Sequence, residues 1–109
     1  MDSECHNLLY LHIWTIKMIV SQTEEALIIL QEECAEVIQA ASKIYRFGID
    51  NEHKSGRTQR ANLEMEIGDM LALVDILVER GVVDLNNITT AIANKKEKLK
   101  KWSSLYEQN

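Results

Sequence analysis

Two pairs of acids set the chemistry of this chain: Glu33 with Glu36, and Glu66 with Asp69, each pair spaced three residues apart. Around the first pair, Leu27, Leu30, Cys34, Val37, Ile38, Ala41, Ile44 and Tyr45 recur every three or four residues. Around the second, Leu63, Ile67, Met70, Val74 and Leu77 do the same. That recurrence is the signature of amphipathic helices. On wheels centred at Leu30 and Leu63, Glu33 and Glu66 both fall about 60° to one side of the apolar stripe, and Glu36 and Asp69 about 120° to the same side. Ala26, Ile29 and Ala40 share this flank on the first helix, Leu73 and Ile76 on the second, and one turn on from each acid stands Val37, Ala40, Met70 or Leu73. A solvated face would show cationic partners at that spacing instead.

Four carboxylates gathered at a helix interface repel one another and lose hydration unless protons or cations compensate them. Hard oxygen ligands without a His or Cys cluster favour magnesium or manganese over zinc, and magnesium commonly links carboxylates to substrate phosphates. The chemistry so indicated is metal-assisted attack on a phosphate chain. Taken singly, a carboxylate pair on a helix is usually surface charge; the matched flanks on consecutive helices carry the metal reading.

The elements that must position these acids are helical, because the chain holds only 4 Gly and 0 Pro, leaving little of the punctuation of hairpins. The first helix is expected from Thr23 as N-cap to Gly48, and the second from about Gln59 to Arg80, closed by Gly81. The third follows Asp84 as its cap, with Leu85, Ile88, Ala91, Ile92, Leu99, Trp102 and Tyr106 on one side. Asp50 to Gln59 is polar throughout and reads as an exposed loop. The fold class predicted is all-α, antiparallel helices in a four-helix-bundle-like core completed by oligomerisation, since three helices leave apolar surface uncovered.

Other residues extend the acidic flank. Lys43 and Phe47 continue it C-terminally, suited to phosphates or a base, or else as a snorkelling Lys and a core Phe. Asn62, one turn before Glu66, can orient a ligand or simply start a helix. Lys95 falls inside the third helix's apolar stripe, where a lysine needs an anionic partner or a route to water. Asn94 and Lys98 adjoin it, so this helix can offer donors to a triphosphate or pair with the acids. Glu32 and Glu64 point away from the flank. His6, His12 and His53 form no Glu-x-x-His motif and receive no role.

The segment Glu32 to Phe47, EECAEVIQAASKIYRF, followed by Leu63 to Leu71, LEMEIGDML, resembles the MazG-like all-alpha nucleotide pyrophosphohydrolases of the short single-domain phage and bacterial type. The likeness covers roughly residues 25 to 102, and the ordered ExxE and ExxD are that family's metal motif. It implies magnesium-dependent hydrolysis (manganese substituting) of a nucleoside triphosphate between the alpha and beta phosphates, with Glu33, Glu36, Glu66 and Asp69 as ligands. The likeness of the SK and RFG residues, Ser42, Lys43, Arg46, Phe47 and Gly48, also favours substrate contacts from Lys43 and Phe47, and the family implies contacts from the C-terminal Asn and basic residues and a homodimer or homotetramer. Two rivals remain: a helical interaction module whose carboxylates tune pairing, and a narrow-specificity dUTP or dCTP diphosphohydrolase.

A net charge of -5 argues against a nucleic-acid polymer as partner. With only 2 cysteines a disulfide framework is not expected. Leu8 to Val20 is apolar but about 13 residues long and broken by His12 and Lys17, too short to span a membrane. The acidic Asp2 and Glu4 before it do not suit a signal peptide. A cytoplasmic protein is expected, with residues 1–22 an apolar extension of undecided structure and 23–109 the helical catalytic domain.

Overall fold

The computed structural model describes residues 21–108, which form three helices: α1 (Gln22–Phe47), α2 (Gln59–Glu79) and α3 (Leu85–Trp102). Among these residues there is no strand, only a single antiparallel bridge between Glu52 and Thr58. The readings made for residues 1–20 lie outside the described residues. No described helix is long and apolar enough to cross a membrane.

Each helix starts on a side-chain cap. Ser21, not Thr23, caps α1: its hydroxyl accepts from the Glu24 N–H at 3.1 Å and donates to the Glu24 carboxylate at 3.1 Å. The Ser-x-x-Glu pairing that one expects of a capping box therefore sits two residues earlier than the periodicity suggests. Thr58 caps α2 by accepting from Ala61 N–H, and Asp84 caps α3 by accepting from Asn87 N–H, each at 3.1 Å. α3 stops at Trp102, short of Tyr106, because Ser103 turns to an extended conformation with its hydroxyl donating to the Leu99 carbonyl at 2.6 Å.

α1 and α2 pack antiparallel, while α3 makes no comparable packing with either and has no fully buried residue. Arg80 donates to the Gln22 side chain at 3.1 Å, which fixes the register at one end of the α1–α2 seam. Counting inward from that pair in equal steps brings Ile29 level with Leu73, Glu33 with Asp69, Glu36 with Glu66, Ala40 with Asn62 and Lys43 with Gln59.

The acidic flanks meet, as the sequence pattern places them at a helix interface, and Leu77 of the second apolar stripe is buried with them. Ala26 and Ala40 are buried on α1, and Gln59, Asn62, Glu66 and Leu77 on α2. Small alanines let the backbones approach, so the flank that carries them becomes the seam, while Ile38 and Tyr45 of the apolar stripe stay 69% and 95% exposed. Ala26, Ala40 and Leu77 are the fully buried apolar residues among those described. At about 1.5–3 kcal/mol for a buried leucine, and less for alanine, that is a meagre hydrophobic contribution for a folded domain. The radius of gyration, 16.7 Å, is also well above the roughly 13 Å of a compact 100-residue domain.

Candidate active site

At mid-seam α1 presents Glu33 and Glu36 and α2 presents Glu66 and Asp69. Glu33, Glu66 and Asp69 each offer a carboxylate oxygen within 4.8 Å of the others. Glu66 is buried at 4% exposure, Glu33 is half-buried and Asp69 opens to solvent, so the cluster has a dry base and a wet mouth. Glu36, half-buried and level with Glu66, closes the set electrostatically, since its charge is felt at both Glu33 and Glu66.

The environment disfavours four free negative charges. Burial, then the charges of Asp69, Glu66 and Glu36, push the Glu33 carboxyl above its ordinary value. Burial, then Glu36 and Asp69, push Glu66 up in the same way, with Arg57 opposing. The ion pairs among the described residues, Asp50 with Arg60 and Glu97 with Lys100, both lie elsewhere on the surface. The donor set is therefore all-oxygen, convergent and without a bonded cation, which fits a hard divalent metal better than zinc.

Going up the seam from the acids, Asn62 stands one turn before Glu66, 2% exposed, its amide oxygen accepting from Arg57 at 3.4 Å. Lys43 is half-buried a further turn along. Phe47 ends α1 half-exposed, with the Arg46 guanidinium 5.2 Å from its ring centre. The structure thus brings Asn62 and Lys43 to the acidic seam and leaves Phe47 at its rim. It does not bring Asn94, Lys95 or Lys98, which are exposed on α3. Lys95 finds its route to water there and, with Lys96, borders a groove of about 470 Å³ walled by Ile88, Ala91 and Ile92.

The segment before α2 is the expected exposed loop except at two residues, His53 and Gln59. His53 and Gln59 are 4% and 3% exposed. His53 N–H bonds the Arg57 carbonyl, and the His53 ring Nδ1 accepts from the Ser55 N–H at 3.2 Å and lies 3.0 Å from the Ser55 hydroxyl. Gln59 donates its amide N–H to the Glu52 carbonyl at 3.3 Å. His53 Nε2 and Gln59 Oε1 remain buried without a partner, a state that costs about 1–3 kcal/mol for each unmet group. His53, Arg57 and Gln59 thus belong to the seam although the sequence reading passes over them. No hydrophobic period marks them, and the one available signal is the pair of turn residues, Ser55 and Gly56, that folds the segment back.

A family model, the MazG nucleotide pyrophosphohydrolase domain, matches residues 22–103, the span of all three helices. The chain belongs to the MazG family. It is therefore a hydrolase that acts on nucleotide anhydrides, and its all-helical build agrees with the MazG domain. Neither the curated proteins nor the solved structures include a significant match to this chain. Within the MazG match lie both acid pairs, the Glu52–Thr58 bridge and α3.

Proposed function

We propose that this MazG protein hydrolyses nucleoside triphosphates between the alpha and beta phosphates, using magnesium or manganese held by Glu33, Glu36, Glu66 and Asp69. The observation that carries this is the convergence of Glu33, Glu66 and Asp69 within 4.8 Å, with Glu66 buried and no cation bonded to it. Bound there, a divalent cation supplies charge neutralisation for phosphate oxygens and a more acidic water. Water adds to the alpha phosphorus as the bridging oxygen leaves with the beta phosphate, giving nucleoside monophosphate and pyrophosphate.

The chain's own residues do the rest. Buried Glu66 and half-buried Glu33 hold negative charge in a site where burial alone disfavours it, so each is stabilised by a bound cation and returns that stabilisation as affinity. Asn62 orients its neighbour Glu66 or a water beside it, and Lys43 and Phe47 take the nucleoside end.

Completion of the bundle falls to a second copy of the chain. Ile38, Tyr45 and Trp102, at 69%, 95% and 75% exposure, are apolar side chains that such a partner would cover. A homodimer or homotetramer that covers these faces makes a four-helix-like core and brings Asn94, Lys95 and Lys98 of a neighbour toward the phosphates. Such an enzyme suits the cytoplasm, where nucleotides and magnesium are present.

The deciding experiment is a panel of ribo- and deoxyribonucleoside triphosphates, with magnesium and with chelator. Release of pyrophosphate only with metal supports the proposal. Orthophosphate and diphosphate as products would move the cut to another bond, and no turnover would return the chain to a non-catalytic helical module. Turnover of dUTP or dCTP alone would make it a narrow-specificity enzyme.

A further inference from the structure

We infer that residues 8–20 of this chain dock as a helix, antiparallel to α3, in the apolar trough that runs along it, an interaction independent of the nucleotide reading above. Two grooves share Ile88 and Ala91 and so run into one trough. Its mouth, about 720 Å³, lies between the end of α2 and the start of α3 and is walled by Val78, Val82, Val83 and Leu85. Its narrower run, about 470 Å³, passes Ile92 and is rimmed by Lys95 and Lys96. Among the described residues nothing covers it, and Val82, Val83, Leu85 and Ile92 are all exposed.

Three observations select the occupant. The first is the place where residues 8–20 join the fold. Gln22 bonds Arg80 at 3.1 Å, and Gly81 to Asp84, which edge the mouth of the trough, follow Arg80 directly. Ser21 caps α1 in an extended conformation, so the chain before it is led off the helix axis beside that mouth. The second is length. Leu85 to Lys96 covers about 17 Å of α3, and residues 8–20 laid as a helix cover about 18 Å. The same residues fully extended would run about 40 Å, past the end of α3. The third is chemistry. Leu8, Leu9, Leu11, Ile13, Trp14 and Ile16 supply apolar side chains, and a tethered segment meets the trough at high effective concentration. Antiparallel docking also carries Asp2 and Glu4 beyond the trough to Lys98, Lys100 and Lys101, whereas the parallel direction would set them against Asp84, the α3 cap.

The native Cys5 makes the docking measurable. Setting Val20 level with Leu85 and counting outward in equal steps brings Cys5 level with Lys100, on the side of α3 that carries Ile92 and Lys96. In full-length chain with Cys34→Ser, which leaves Cys5 as the native thiol, a second thiol is introduced by Lys100→Cys or, at the far end of the trough, by Asn87→Cys. Each protein is treated in dilute solution with a short bis-maleimide, and the products are sorted by mass into cross-linked single chains and cross-linked pairs. The expected result is single-chain product from Lys100→Cys at a yield at least ~fivefold above Asn87→Cys, since docking holds only the first pair of thiols at high effective concentration. Adding Ile92→Glu, a charge placed in the trough at a position already 52% exposed, should bring that yield down to the Asn87→Cys level with helicity by circular dichroism unchanged. Should Ile92→Glu lose helicity, Ala91→Glu makes the same test. Equal yields from the two thiol positions overturn the proposal, as does a yield that a glutamate in the trough leaves unaltered. Cross-linked pairs in place of single chains overturn it too, because the trough then takes the segment of a second copy.

Discussion

Arg80 reaches across the end of the seam to bond Gln22, and the register set by that pairing carries Glu36 to the level of Glu66. Two acids from different helices thus face each other in a closely packed stretch, between Ala40 on one side and Leu73 on the other. Their mutual repulsion is a cost that the fold bears continuously in the absence of a cation.

Relieving that cost should show in melting. Glu36→Gln or Asp69→Asn keeps size and removes one negative charge, so in chelator the melting temperature should hold or rise, by the equivalent of less than ~2 kcal/mol. Magnesium should raise the parent's melting temperature more than the variant's, because only the folded state assembles the ligands. Turnover should drop at least ~100-fold. Variants that melt lower in chelator, beside a parent indifferent to magnesium, would mark these acids as structural.

Gly48 offers a test of the turn that precedes α2. Its φ of 89° and ψ of 143° belong to a region that side chains rarely enter, and an added Cβ would meet the Asn51 amide nitrogen at 2.8 Å. That amide is the one that closes the turn on the Phe47 carbonyl. Gly48→Ala should therefore lose about 1–3 kcal/mol of stability in urea titrations and weaken nucleotide affinity with it. A variant as stable as the parent would show that the turn relaxes freely.

Acid should weaken the same region. Burial, aided by the charges of Lys43, Arg57 and Lys54, pushes the His53 ring below its ordinary value. The unfolded chain then takes up a proton before the folded one does, so this contribution to stability is complete above about pH 6.5 and is lost as pH falls toward the lowered value. Glu33 and Glu66 act in the opposite sense, since carboxyls pushed up favour folding at low pH and lose that advantage as pH rises. Both effects share one chain, and His53→Asn isolates the first. In chelator, the stability gap between parent and variant should move against the parent between pH 7.5 and 5.5. A gap that does not change with pH would mean the ring already titrates normally.

What the sequence made legible follows from its periodicities. Helix existence and the cap at Asp84 are written in short-range patterns, and so is the matching of ExxE with ExxD, because a shared flank is a property of each helix alone. That the acidic flanks meet was legible, and what the wheel left open is how close they come, which the small side chains of Ala26 and Ala40 allow. The burial of His53 and Gln59 was hidden for a related reason. Their polar surroundings resemble a solvated loop until the Glu52–Thr58 bridge folds the segment onto the helix ends. Lys95 shows the converse, a position in a stripe that predicts burial on a helix left exposed among the described residues.

Lys95 also allows the proposed assembly to be tested for a shared site. It is exposed on α3, which makes no extended packing with α1 or α2 among the described residues, so a role at the phosphates is tested as an action on a neighbouring copy. Lys95→Ala alone should raise KM for triphosphate, and Glu66→Gln alone should abolish turnover. Mixed in equal amounts and allowed to exchange subunits, the two inactive or weakened chains form hybrids with one doubly damaged site and one intact site. Random pairing into dimers then restores roughly a quarter of the parental high-affinity activity, through a closed two-fold interface. Each protein alone cannot give that signal, and neither can a mixture in which Lys95 serves its own chain, since there every site keeps one lesion. Recovery with parental KM supports a composite site. A mixture whose activity never exceeds that of its Lys95→Ala component, despite demonstrated subunit exchange, would leave Lys95 as a surface lysine.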